Sequence, residues 1–129
     1  MDWTTIAIAG GLVGIFLGLK KLGLVSATDA REFWKQGARV IDVRSAGEYQ
    51  SGHLPVGENM PLNNLNQLIA KRIPDKETIM LLHCLSGTRS GMAKRALQGL
   101  GYTHVHNLGS YARAEGILKN VAKSEADPT

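Results

Sequence analysis

The apolar run at 78–82 leads through His83 into Cys84, the one cysteine of the chain, then into Leu85-Ser86-Gly87-Thr88-Arg89-Ser90 and a helical pattern. This order of buried strand, tight loop and helix constrains the fold most. A short aliphatic strand belongs inside a sheet covered on both faces, and the helix after it must return over one of those faces. Such a loop also turns successive backbone N–H groups, and the positive end of the helix dipole, toward its own centre. A thiolate placed there is stabilised, and cysteines at helix N-termini or beside arginine ionise below their ordinary value. Gly87 lets the backbone turn, and Arg89 offers a planar, permanently charged fork for an anion. The competing role for Cys84 is a small buried hydrophobe, common for free cysteines.

Around this unit, strands and helices alternate. Ser26 or Thr28 caps a helix through Gln36 that Gly37 ends. A buried strand at 39–43 follows, and Ser45 with Glu48 forms a capping box for a short helical turn. Asn63 or Asn64 begins a helix through about Arg72, and Pro74-Asp75-Lys76 makes a turn. The strand at 78–83 precedes a helix at 90–100, with Ala93, Leu97 and Leu100 facing the core and Gly101 as its stop. A last strand at 103–107 and a short helix toward Lys119 complete the set. The expected architecture is one α/β domain with a mainly parallel sheet, spanning 26–122, followed by a flexible tail at 123–129.

The motif Cys-x-x-Gly-x-Arg-Ser at 84–90 resembles the active-site loop of the rhodanese-like sulfurtransferases. The likeness continues upstream: Val40-Ile41-Asp42-Val43-Arg44-Ser45-Ala46-Gly47-Glu48-Tyr49 is similar to the family's strand, Asp-x-Arg and Glu-Tyr signature. Gly52-His53-Leu54-Pro55-Val56-Gly57-Glu58-Asn59-Met60-Pro61-Leu62 resembles its Gly-His-Ile-Pro-Gly-Ala-x-Asn-Ile-Pro segment. The resemblance implies a three-layer rhodanese-like domain in which Cys84 takes a sulfane sulfur from a donor, carries it as a persulfide and passes it to an acceptor. Leu85, Ser86, Gly87, Thr88, Arg89 and Ser90 are then the substrate-binding loop, and no cofactor is implied.

Six residues from Cys84 to Arg89 inclusive match the sulfurtransferase loop; related phosphatases and arsenate reductases have one more. Leu85 stands where many thiosulfate-using members carry arginine or lysine, so Arg89 is the loop's one cation and an uncharged or protein-borne donor suits the entrance better. Downstream, Ser110 replaces a family glycine and Ala114 falls near a usual tryptophan. With one cysteine, no internal disulfide can resolve the persulfide, so release goes to an external thiol, cyanide or a partner protein's cysteine. His53, His83, His104 and His106 form no metal-ligand frame. Strand alternation points His83 away from Cys84, His53 reads as structural, and His104 and His106 share one solvated face.

The N-terminal stretch at 3–19 contains no charged residue and precedes Lys20 and Lys21. As a helix it is about 26 Å long, close to the hydrocarbon thickness of a bilayer. Residues 1–25 are therefore expected to form a single transmembrane helix and short linker. With Asp2 before the span and two lysines after it, the catalytic domain faces the cytoplasm at the cell membrane. A cleaved signal peptide, with Val25-Ser26-Ala27 as the cleavage site, is the competing reading, but its positive charge would precede the apolar stretch. Gly10, Gly14 and Gly18 share one helix face, which either lets two copies pack as a homodimer or reflects the frequency of glycine in membrane helices.

The net charge of +4 does not make a nucleic-acid protein: two charges flank the span, and no basic run or aromatic platform follows. Two function classes remain. One is a membrane-anchored sulfurtransferase, acting on a small sulfur donor and a thiol acceptor; the other is a non-catalytic interaction module. A phosphatase or arsenate reductase-type cysteine enzyme stands behind both.

Overall fold

The computed structural model describes residues 23–119 and 121. Four parallel strands, β1 (Arg39–Asp42), β2 (Gly57–Asn59), β3 (Met80–His83) and β4 (Val105–Gly109), form one sheet in the order β2-β1-β3-β4. Five α-helices join them: α1 (Ala27–Lys35), α2 (Ala46–Ser51), α3 (Leu65–Arg72), α4 (Thr88–Gly99) and α5 (Tyr111–Leu118). The central strands β1 and β3 are almost wholly buried, as their aliphatic composition requires.

Strand alternation sorts the core into two layers. Ile41, Met80 and Leu82 face Leu65 and Ile69 of α3 and Ala93 and Leu97 of α4. Val40 and Leu81, on the opposite face, pack with Ala30 of α1 and with Ala114 and Ile117 of α5. Helices thus cover both faces of a parallel sheet, the three-layer arrangement expected. Helix α2 buries none of its residues. It stands beyond the carboxyl ends of the strands, where open α/β sheets place their sites.

Local signals set the ends of the helices. Ser26 rather than Thr28 caps α1, its Oγ accepting the N–H of Asp29 at 3.1 Å. The Ser45–Glu48 capping box is complete. Gly101, at φ +98°, ends α4 in a Schellman turn: its N–H donates to Gln98 and that of Tyr102 donates to Leu97.

Four expectations need correction. Helix α4 ends at Gly99, so Leu100 caps it instead of joining the core stripe and is 39% exposed, whereas Ala93 and Leu97 are buried. Helix α4 also begins at Thr88, two residues early, because Gly87 already serves as its N-cap. The last strand runs two residues later than expected, at Val105–Gly109, and ends where Gly109 adopts φ +93°. His106 does not share the solvated face of His104: α1 lies over it, and its ring stacks on Phe33 with centroids 4.2 Å apart. Strand β2 was not anticipated.

The expected membrane span at 3–19, with its lysine flank and its glycine face, lies outside the described residues, as does the tail at 123–129. Among the described residues no helix is long and apolar enough to cross a membrane.

The contrast between Leu97 and Leu100 is measurable. Leu97→Ala leaves a cavity between α4 and the sheet and should cost about 2–5 kcal/mol in denaturant unfolding. Leu100→Ala should cost less than about 1 kcal/mol.

Candidate active site

Cys84 leaves the carboxyl end of β3 and is itself buried against the α3/α4 layer. The chain then turns through Leu85 and Ser86 into Gly87, at φ +99°, which starts α4. Gly87 has no side chain to cap the helix, and its own N–H donates to Sγ of Cys84 at 3.0 Å. The Ser90 hydroxyl lies 3.5 Å from the same sulfur and 3.1 Å from the Gly87 carbonyl, to which it also donates. Burial pushes the Cys84 thiol up, but the Ser90 hydroxyl and the backbone N–H groups of Ser90, Gly87 and Ser86 together outweigh it, and the net shift is downward. A cysteine that only filled the core would not have these donors turned toward its sulfur.

The loop is clamped to the end of β4. The Cys84 N–H donates to the Gly109 carbonyl at 3.2 Å, and the Tyr111 N–H donates to that of Leu85 at 3.2 Å. Ser86 and Ser110 form an antiparallel bridge. From inside, the buried Asn107 amide donates to the Gly87 carbonyl at 3.3 Å and accepts the Gly109 N–H at 2.9 Å. Sequence reasoning placed Asn107 in a strand and gave it no role.

The expected loop residues separate by position. Gly87 and Ser90 are buried beside Cys84, whereas Ser86 and Thr88 are exposed, Ser86 contributing through its backbone N–H and Thr88 opening α4. Leu85 is 58% exposed and lines an open cleft of about 310 Å³ with Arg44, Glu48, Gly52 and Tyr111. Arg89 is not the open anion fork that the sequence suggested. Its guanidinium forms a two-pronged ion pair with Glu48, at 2.6 and 3.0 Å. Arg89 holds the Glu48 carboxyl well below the usual range, down to about 2, with the Ser45 N–H assisting.

Beneath the cleft, Arg44 makes a buried ion pair with Asp42, with contacts of 2.8 to 3.0 Å. It also donates to the Gly52 carbonyl at 2.7 Å and lies over the Tyr111 ring. His83 is buried on the face opposite Cys84, its Nε2 3.9 Å from Asp42 and without a hydrogen-bond partner. Burial pushes its pKa down, against the pull of Asp42, which favours the neutral imidazole. Its Nδ1 faces the Cys84 carbonyl at 3.4 Å, not the sulfur, which excludes it as the thiol's direct base in this geometry. His53 is structural as expected, stacked on Tyr49 and bonded to the Tyr49 carbonyl at 2.8 Å.

The site is thus a buried thiol facing loop donors, at the carboxyl end of a central parallel strand. The family model described as Rhodanese-like domain matches residues 26–113. The chain is similar to the thiosulfate sulfurtransferase PspE of Escherichia coli strain K12, at 39% identity over 94 residues, covering 71% of this chain and 85% of that protein. It is also similar to the thiosulfate sulfurtransferase GlpE of Pseudomonas savastanoi pv. phaseolicola, at 32% identity, covering 61% of this chain and 73% of the relative. Among solved structures, a rhodanese with anions from E. coli superposes with a TM-score of 0.57 at 38% identity, over 60% of this chain and 91% of that one. The human single-domain sulfurtransferase TSTD1 gives 0.61 at 27% identity, over 73% and 96%. With the family model covering most of the chain, the chain belongs to the rhodanese-like domain family.

Proposed function

We propose that this protein is a sulfurtransferase that moves a sulfane sulfur from a donor, thiosulfate or a persulfide, to a thiol or cyanide acceptor through a persulfide on Cys84. The observation that carries this reading is the Gly87 N–H aimed at Sγ at 3.0 Å, in a loop whose other donors also favour the thiolate. Relatives named thiosulfate sulfurtransferases support it. In the first step the Cys84 thiolate attacks the outer sulfur of the donor. The donor's S–S bond breaks, and the electron pair leaves with sulfite or with a thiolate. In the second step the acceptor's nucleophile attacks that outer sulfur, and Cys84 leaves as the thiolate it was. The loop N–H groups hold the negative charge on Cys84 at both ends of the cycle without giving up a proton. Gly87 and Ser90 touch the sulfur, Ser86 ties the loop to Ser110, Thr88 opens α4, and Leu85 forms the rim.

A second reading rests on the burial of Cys84 in the core layer: the domain is a binding module with an inert thiol. Intact mass after incubation with sulfur donors separates the two. Wild type should gain one sulfur atom and lose it to cyanide or a thiol, and Cys84→Ser should gain none while keeping its unfolding midpoint. A wild-type protein that never gains sulfur would favour the module.

We also propose that the uncharged stretch at 3–19 anchors the domain in the cell membrane with the domain on the cytoplasmic side, supported by the lysines at 20 and 21. The full chain should then sediment with membranes, resist carbonate extraction, and have its domain protected from protease added outside. Recovery of a mature protein starting near Thr28 outside the cytoplasm would replace this with a cleaved signal peptide.

The ionisation of Cys84 gives a further measurement. Its donors favour the charged form, so the thiolate absorbance should appear below the ordinary thiol value of about 8.5. Ser90→Ala removes the hydroxyl donor and should move the midpoint upward, with sulfur loading lost first at the acidic end of the profile. A midpoint unchanged in Ser90→Ala would show that the backbone alone sets it.

A further inference from the structure

Two guanidinium groups, Arg44 and Arg89, stand around the mouth of the Cys84 loop, and carboxylates of this chain hold both. Arg44 is buried on Asp42 and the Gly52 carbonyl. Arg89 is held by both oxygens of Glu48, whose Oε1 also accepts the Ser45 N–H at 3.2 Å and hydroxyl at 3.1 Å. The capping box at the start of α2 therefore fixes the carboxylate independently of Arg89. Glu48 lines one shallow cleft and Arg89 the neighbouring one, so their ion pair forms the wall between the two. Among the described residues lining these clefts, Arg44 and Arg89 are the cations, and the remaining rim at the loop is the exposed Leu85.

We infer that Glu48 is a specificity-determining residue: by holding Arg89 it withholds a cation from the donor and selects a hydropersulfide, RS–SH, over thiosulfate. This deepens the sulfurtransferase reading and rests on it. Loading from thiosulfate is Cys84–S⁻ + S–SO₃²⁻ → Cys84–S–S⁻ + SO₃²⁻, and the dianion would have to reach Arg89 beside the Glu48 carboxylate or displace it. Like charges at that separation repel, and an ion pair already closed cannot compensate. Loading from a hydropersulfide is Cys84–S⁻ + HS–SR → Cys84–S–SH + RS⁻. The donor enters neutral, or singly charged as RS–S⁻, and its organic group can lie against Leu85.

The test measures the rate at which Cys84 of the full chain gains sulfur, followed by intact mass, with two probes: sodium thiosulfate and the hydropersulfide of N-acetylcysteine methyl ester. Wild type should load faster from the hydropersulfide. Glu48→Gln keeps an oxygen for the Ser45 N–H but loses the charge, and capping boxes accept glutamine. It should raise the thiosulfate rate about tenfold while the hydropersulfide rate moves less than about threefold. A merely structural role for Glu48 would lower both rates together. Leu85→Arg, which adds a cation without touching α2, should also raise the thiosulfate rate, and it decides the matter if Glu48→Gln does not fold. Equal wild-type rates from the two donors, or no gain toward thiosulfate in a folded variant, overturn the inference and leave the sulfurtransferase reading standing. Loading from neither donor overturns both.

Discussion

The close approach of Gly87 to Gly109 is the contact on which the site depends. A Cβ on Gly87 would lie 3.3 Å from the Gly109 Cα, and its φ of +99° is one that side chains rarely adopt. Both constraints disfavour other residues, for different reasons: one is the space between two backbones, the other the turn itself. Because the turn closes here, α4 can begin at Thr88 with the N–H of its N-cap, Gly87, directed back at Cys84. Gly109 is constrained in turn, since its φ is +93° and a Cβ would meet Leu24 at 2.9 Å. Segment 24–25, running beside β4 and bonded to Asn107, thus supports the loop from the far side.

A second layer of the design is charge. A carboxylate taken fully out of water must be paired, and Asp42 is paired with Arg44 and with its backbone N–H. Asn59 donates to the carbonyls of both residues at 3.0 Å, which ties β2 to the end of β1. The Asp-x-Arg signature is therefore structural in this chain: it organises the floor of the cleft and leaves its charges internally spent. Glu48 and Arg89 repeat the same solution at the rim, half exposed. What remains for chemistry is the field of backbone dipoles around one sulfur.

How much of this could be read from the sequence depends on how local its cause is. Strands β1 and β3 were legible because they are buried on both faces and so consist of aliphatic residues. The caps of α1 and α2 were legible because each depends on residues three apart. Strand β2 was not, since Gly57-Glu58-Asn59 has no apolar pattern and is held by its pairing with β1 and by the Asn59 side chain. The Cys84 loop was visible as a motif, but its charge balance was not: Glu48 lies 41 residues before Arg89, and each had a sufficient local explanation of its own. The same holds for His106, whose alternation with His104 looked solvated until α1 was seen to cover it.

Ser90 shows how the loop accommodates two states of one sulfur. Its hydroxyl carries a single proton, which can go to the Gly87 carbonyl at 3.1 Å or to Sγ at 3.5 Å. With Cys84 protonated, the thiol can donate to Ser90 while the hydroxyl keeps its bond to the carbonyl. When Cys84 ionises, the sulfur becomes an acceptor only, and the hydroxyl turns toward it. That rotation does not strip the buried Gly87 carbonyl of its partners, because the Gly91 N–H of α4 donates to it at 3.1 Å. The Asn107 amide is a further donor to the same carbonyl, at 3.3 Å. With these two donors in place the hydroxyl can follow the charge, and the loop need not rearrange its backbone to hold a thiolate.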